Sequence, residues 1–166
     1  MSRRITVKKI IVVSLSVVIL VLCVSLIITK GKQTPYDYLK KSNSDNLISP
    51  SEMLYQETLD TGFDVVFYID RRGLFNCAVI KKNFFNYRTL EISGSLDITN
   101  AGTYIYSSFD DGQTRQNICW GVITDNDVTE VFLDNEPCNI ADVTNNFRIF
   151  WLMGLGNDSP LLTTNL

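Results

Sequence analysis

The chain has no histidine among its 166 residues. That absence removes Ser-His-Asp and Cys-His nucleophile systems, histidine-bound zinc, and the one side chain whose ordinary pKa suits proton transfer near neutral pH. Proline is scarce, with four in all, and no repeat, low-complexity block or proline-rich linker divides the sequence. The four cysteines include no CxxC pair, so neither a thioredoxin-like nor a zinc-ribbon spacing is present. No cofactor motif is found, and no cofactor is expected. An enzyme built on carboxylates alone survives these exclusions, because a sugar-cleaving site needs two acids about 5 to 10 Å apart, a pairing that sequence does not display.

Charge is missing from one long stretch. The run from Ile10 to Thr29, IIVVSLSVVILVLCVSLIIT, is uncharged and holds four hydroxyls, Ser14, Ser16, Ser25 and Thr29. Twenty helical residues at about 1.5 Å each span roughly 30 Å, the thickness of a bilayer core. Arg3, Arg4, Lys8 and Lys9 precede the run and Lys30 and Lys32 follow it, which places hydrated groups at both interfaces. A cleaved signal peptide has a shorter apolar region and a small-residue cleavage site; a cut after Gly31 is the nearest alternative. A lipoprotein reading would use Cys23, but Leu22 stands where such sites take a small residue. A buried globular helix needs a polar face, and none repeats here. The expectation is one transmembrane helix, with Ile10, Leu20 and Thr29 marking the anchor and the lipid bilayer as its partner.

The distribution of charge sets the orientation. Residues 1–32 carry six basic and no acidic groups, a net of +6, whereas residues 33–166 carry nine basic and eighteen acidic groups, a net of −9. The positive-inside bias favours a cytoplasmic amino terminus and an extracytoplasmic remainder of a cell-membrane, single-pass protein. An outer part of that acidity lacks the basic footprint that nucleic acid requires, so no nucleic acid is expected as partner. The division read from the sequence is a basic leader at 1–9, the anchor at 10–29, a tether at 30–47 and one β-rich domain at 48–166.

Within the tether, Thr34, Pro35 and Asp37 form an N-cap, N1 and N3 signature for a helix of about two turns. Ser49, Pro50 and Glu52 repeat the signature, and there a helix competes with a strand. From Phe63 onward the texture is aromatic and β-branched. FDVVFYI (63–69) reads as a strand with Phe63, Val65, Phe67 and Ile69 on one face and Val66 and Tyr68 on the other, and LFNCAVIK (74–81) returns antiparallel after the turn Asp70, Arg71, Arg72, Gly73. Further strands are expected over 87–98, broken at Gly94, and over 103–109, 118–124, 128–133 and 147–153. The fold class expected is mainly β, an antiparallel sheet, sandwich or small barrel, with one N-terminal transmembrane helix and a short tether helix. Its core draws on Val65, Phe67, Val79, Ile80, Ile105, Trp120, Val122, Val131, Leu133, Ile149 and Trp151.

Three groups of side chains bear on chemistry. Asp125, Asp127 and Glu130, with Asp134 and Glu136 nearby, are a calcium candidate; the loop rule is not met, because Val128 and Thr129 stand where an acid and the glycine turn belong, and a solvated hairpin turn is the plainer reading. Asp110 and Asp111 before Gly112 read the same way. Cys77, Cys119 and Cys138 lie beyond the anchor. A hairpin turning at 125–127 sets Cys119 opposite Leu133 and leaves Cys138 roughly 16 Å further along, beyond the reach of a disulfide, so buried reduced thiols are expected. Phe84, Phe85 and Tyr87 after Lys81 and Lys82 are either a membrane or partner contact or a strand end whose rings enter the core; the second is the expectation. Trp120 and Trp151 are read as packed.

The succession Val65, Val66, Phe67, Tyr68, then Val79, Ile80, Lys81, Lys82, then Trp120 to Asp125, and Phe150, Trp151 resembles small uncharacterised single-anchor extracytoplasmic proteins of Gram-positive bacteria over residues 60–152. Where those proteins have glycine and tryptophan after the Lys-Lys pair, this chain has Asn86 and Tyr87. The resemblance implies an extracytoplasmic β-rich module and brings no activity and no site residues. The function expected is a membrane-anchored, non-enzymatic module that binds or modulates another envelope protein; the alternative is a carboxylate-dependent enzyme acting on a cell-wall glycan.

Overall fold

A computed structural model describes residues 12, 14–25, 33–84, 86–97, 99, 102–144, 146–156 and 159–165. The strands are β1 (Pro50–Thr58), β2 (Phe63–Asp70), β3 (Phe75–Lys82), β4 (Tyr87–Leu96), β5 (Tyr104–Asp110), β6 (Arg115–Ile123), β7 (Glu130–Leu133), β8 (Glu136–Pro137), β9 (Asn139–Thr144), β10 (Phe147–Met153) and β11 (Leu162–Asn165). They form a four-stranded sheet in the order β1-β2-β3-β4, a second in the order β5-β6-β10-β9, and a three-stranded sheet β11-β7-β8, with every pairing antiparallel.

Side-chain alternation explains the layers. On β2, Phe63, Val65 and Phe67 face the second sheet, where they meet Ile118, Trp120 and Val122 of β6 and Phe147, Ile149 and Trp151 of β10. The intervening Val66 and Tyr68, with Ala78 and Ile80 of β3, face outward and are covered by Leu39 of the tether helix. On β6 and β10, the alternate Cys119, Ile123 and Phe150 pack against Val131 and Leu133 of the small sheet. The molecule is therefore four layers deep: helix, sheet, sheet, small sheet. Both faces of the central strands are buried, which is why they read as continuous apolar runs rather than as alternating ones.

Within the second sheet, one position on β6, opposite Phe150 of β10 and Tyr104 of β5, requires glycine. A Cβ at Gly121 would collide with the Thr103 carbonyl oxygen and lie 2.5 Å from Cζ of Phe150. No side chain larger than hydrogen fits between β6 and the ring that covers it.

The tether helix spans Pro35–Ser42, with Thr34 as N-cap. Its capping box is closed by Asp37 N donating to Thr34 Oγ1 at 3.1 Å and Thr34 N donating to Asp37 Oδ2 at 3.3 Å, which satisfies two orphan donors of the first turn. At 50–58 the strand wins over the second capping signature. Pro50 opens β1 at the edge of the sheet, where its missing N–H costs nothing to the ladder.

The transmembrane helix is corrected. Among the described residues no helix is long and apolar enough to cross a membrane. The described helical run covers 14–25, about 18 Å against the roughly 30 Å of a hydrocarbon core; Ile10 and Thr29, the expected ends of the anchor, lie outside the described residues. Leu20 is within that helix and 64% exposed. Ser16 Oγ donates to the Val12 carbonyl and Ser25 Oγ to the Leu22 carbonyl, each at 2.9 Å, so those hydroxyls are satisfied by their own helix.

Candidate functional site

The calcium candidates do not converge. Asp125 Oδ1 accepts from the backbone N–H of Asp127 at 2.9 Å, Glu130 Oε2 accepts from Asn165 Nδ2 at 2.9 Å, and Asp134 Oδ1 accepts from Leu161 N at 2.7 Å. Each carboxylate thus organises its own turn or ties the last strand to β7. Among the described residues no three His, Cys, Asp or Glu side chains are grouped to hold a metal ion. Asp134 and Asn135 have φ of 51° and 68° and make the two-residue turn between Leu133 and Glu136, a place for residues that tolerate the left-handed region. Their signal was a turn signal, and it was read as part of an acidic cluster.

Asp110 and Asp111 also build a turn. Asp110 Oδ1 accepts from Gly112 N at 2.7 Å, and Asp111 Oδ1 from Gln113 N at 2.7 Å and Thr114 N at 2.8 Å. The Thr114 bond first, and then that from Gln113, hold the Asp111 carboxyl below its ordinary range. Asp70, at the β2–β3 turn, is 1% exposed. Burial alone would raise its carboxyl, but the Arg72 guanidinium, with Nη2 at 2.6 Å, and the backbone N–H groups of Leu74 and Arg72 outweigh burial and lower it. Both shifts run opposite to that of a general acid.

The cysteines carry no disulfide, and the geometry behind that expectation is corrected. Cys119 does not lie in a hairpin with β7. It stands opposite Tyr106 on one side and Leu152 on the other, while Cys138, between β8 and β9, packs into the same apolar cluster. The two belong to one apolar cluster, Cys119 on β6 and Cys138 just before β9, the strands that flank β10, so the hairpin register does not set their separation. Burial pushes the Cys119 thiol up to about 12, with the nearby Cys138 adding to it, and pushes Cys138 up to about 11. Cys77, fully buried, is also raised well above its ordinary value by burial. Such thiols are protonated and unreactive at neutral pH.

Trp120 and Trp151 are core residues, at 0% and 1% exposure. The aromatic element after Lys81 departs from expectation. Phe84 is 95% exposed rather than turned into the core, and Phe85 lies outside the described residues. Topology brings this element to a groove. In an antiparallel sheet of order β1-β2-β3-β4, the end of β1, the start of β2, the end of β3 and the start of β4 meet at one end. On the outer face there, the row that is apolar under the helix, Val66 and Ile80, becomes Asp64, Thr58, Lys82 and Tyr87. These residues, with Gln56 and Phe84 and the first residues of the tether helix, line a groove of about 690 Å³.

The groove is held together by specific contacts. Thr58 Oγ1 donates to Asp64 Oδ1 at 2.5 Å, and Asp64 is 4% exposed. Tyr38 of the helix lies with its ring 5.8 Å from that of Tyr87, and Lys82 Nζ is 6.0 Å from the Tyr87 ring centre. Burial, and after it the Asp64 carboxylate, raise the Tyr87 phenol, which therefore stays a neutral hydrogen-bond donor. The sequence signal for this groove was the exposed-aromatic reading of Phe84 beside Lys82. Asp64 carried no signal, because an acid beside Phe63 in a strand reads as an ordinary solvated position.

No family model matches the chain, and neither a curated protein nor a solved structure is significantly similar to it.

Proposed function

We propose that the protein is a membrane-attached, extracytoplasmic, non-enzymatic module that binds or modulates another envelope protein. The observation that carries this reading is the docking of the tether helix. A tether that merely connects needs no packing and is better left flexible, yet Leu39 is fully buried against Val66, Tyr68, Ala78 and Ile80, and the capping box fixes where the helix begins. A docked helix fixes residues 35–42 against the β domain. Such fixed presentation serves a surface that meets a neighbour held in the same membrane.

Two further features support the reading. Described apolar side chains at 12–25 are exposed, Leu15, Ile19 and Leu22 by more than half, and contact with hydrocarbon gives them the apolar surroundings they lack. The −9 balance beyond residue 32 keeps the displayed domain dispersed and favours a partner with a basic face. The test is chemical crosslinking in living cells followed by recovery of the full-length protein from intact membranes. A protein recovered reproducibly, and lost when crosslinker is omitted, is the expected result; recovery of none, with turnover of a wall polymer by the full chain, would exclude the reading.

A further inference from the structure

We propose that the groove at the β1–β4 end of the first sheet is a binding site for a neutral glycan chain, separate from any protein contact. Its volume, about 690 Å³, lies in the range of small-ligand sites, roughly 300 to 1,000 Å³. The lining selects by charge. Asp64 and Lys82 are its two charged side chains among the described residues, and their charges cancel. A phosphate, sulfate or carboxylate ligand would face Asp64, which at 4% exposure cannot swing into solvent and would remain a desolvated like charge. A cationic ligand would meet Lys82, which already lies over the Tyr87 ring.

A polyhydroxylated, uncharged chain fits both ends of this arrangement. A carboxylate oxygen offers several acceptor sites, and Thr58 uses one of those on Asp64, so sugar hydroxyls have an acceptor fixed in place before they arrive. Gln56, Lys82 and the neutral Tyr87 phenol supply donors. Phe84, 95% exposed, and the half-buried Tyr87 give flat apolar faces for the C–H surfaces of pyranose rings. Among the described residues, Asp64 is the groove's one carboxylate. Hydrolysis by a pair of acids needs two, and the groove is accordingly assigned binding rather than cleavage.

The test uses the full chain in a detergent without a sugar headgroup, titrated with chitotetraose and cellotetraose as neutral probes and with a sulfated tetrasaccharide as the charged one. Saturable binding of a neutral tetrasaccharide is expected, at least tenfold weaker in Phe84→Ala and in Asp64→Asn, and unchanged in Leu161→Ala, a control at another exposed apolar side chain. Phe84→Ala alters a surface residue and decides the matter even where Asp64→Asn loses its fold. Absence of binding to both neutral probes at millimolar concentration, preference for the sulfated probe, or undiminished binding by Phe84→Ala would overturn the assignment. So would a photocrosslinker at position 84 that captures a polypeptide in cells. Loss of the glycan site would leave the membrane crosslinks of the proposed protein contact unaffected, so the two readings fail separately.

Discussion

At the scale of single residues, stability rests on a few positions where a side chain has no substitute. Asp70 accepts from Arg72 and from two backbone N–H groups while almost fully buried. Its replacement by alanine leaves the amides of Arg72 and Leu74 without their acceptor, while the half-exposed Arg72 guanidinium keeps Ser95, and a loss of about 1 to 3 kcal/mol is expected in urea unfolding. Because its folded pKa is lowered, the Asp70 contribution is complete above the ordinary carboxylate range and is lost as pH falls through the lowered value. Wild type should accordingly lose stability on acidification more steeply than Asp70→Asn. Gly121→Ala forces β6 from Phe150 and the Thr103 carbonyl and should cost about 1 to 3 kcal/mol by the same measurement. The buried thiols of Cys77 and Cys119 should resist iodoacetamide at pH 8 in the folded protein and react on unfolding; rapid labelling of the native chain would show that the layers around them open.

Elements differ in how plainly the sequence announces them. Thr34, Pro35 and Asp37 announce the tether helix because capping is local chemistry, and the β2–β3 hairpin is legible because a turn with glycine at φ 82° separates two apolar runs. The β6–β7 hairpin was misread. The turn residues at 125–127 lie where a hairpin would turn, but β6 pairs with β5, through the turn that Asp110 and Asp111 build, and with β10, and the second pairing, which sets Trp120 opposite Trp151, is long-range. Strands β8, β9 and β11 were missed because each is short or mostly exposed and lacks an apolar run. For the helix, Leu39→Ala should cost about 2 to 5 kcal/mol through the cavity it leaves, and Thr34→Ala about 1 kcal/mol through the lost cap. Limited proteolysis should then cut Leu39→Ala between residues 35 and 42 while the sandwich stays intact; equal resistance of variant and wild type would mean that the helix is not held by that contact.

For the whole molecule, the mainly β character was legible from the spacing of apolar runs, and the residues expected in the core are buried except Ile105, which is half-buried; Ile80 lies under the helix and Val131 and Leu133 in the small sheet, while inter-sheet residues such as Phe75, Phe109 and Ile118 were not named. The layering was not. Whether an apolar strand is covered on one face or two depends on what docks against it, and the outer coverings here, one short helix and a small three-stranded sheet, come from remote parts of the chain. The groove was only partly legible for the same reason: Phe84 and Lys82 adjoin in sequence, but Asp64 and Thr58 reach them through sheet topology. The expectation of a membrane-spanning helix rested on the apolar length from 10 to 29, whereas the helix described is shorter. If the β domain lies outside the cell, protease added to cells stripped of their wall should digest the chain beyond residue 32; full protection would place the domain on the other side. The most direct measurement is crosslinking in intact cells with the wild-type chain beside Leu39→Ala. A partner that binds a rigidly presented domain should be captured reproducibly by the wild type and much less by the variant, whereas equal capture by both, or capture of nothing by either, would contradict a docked tether that presents a binding module.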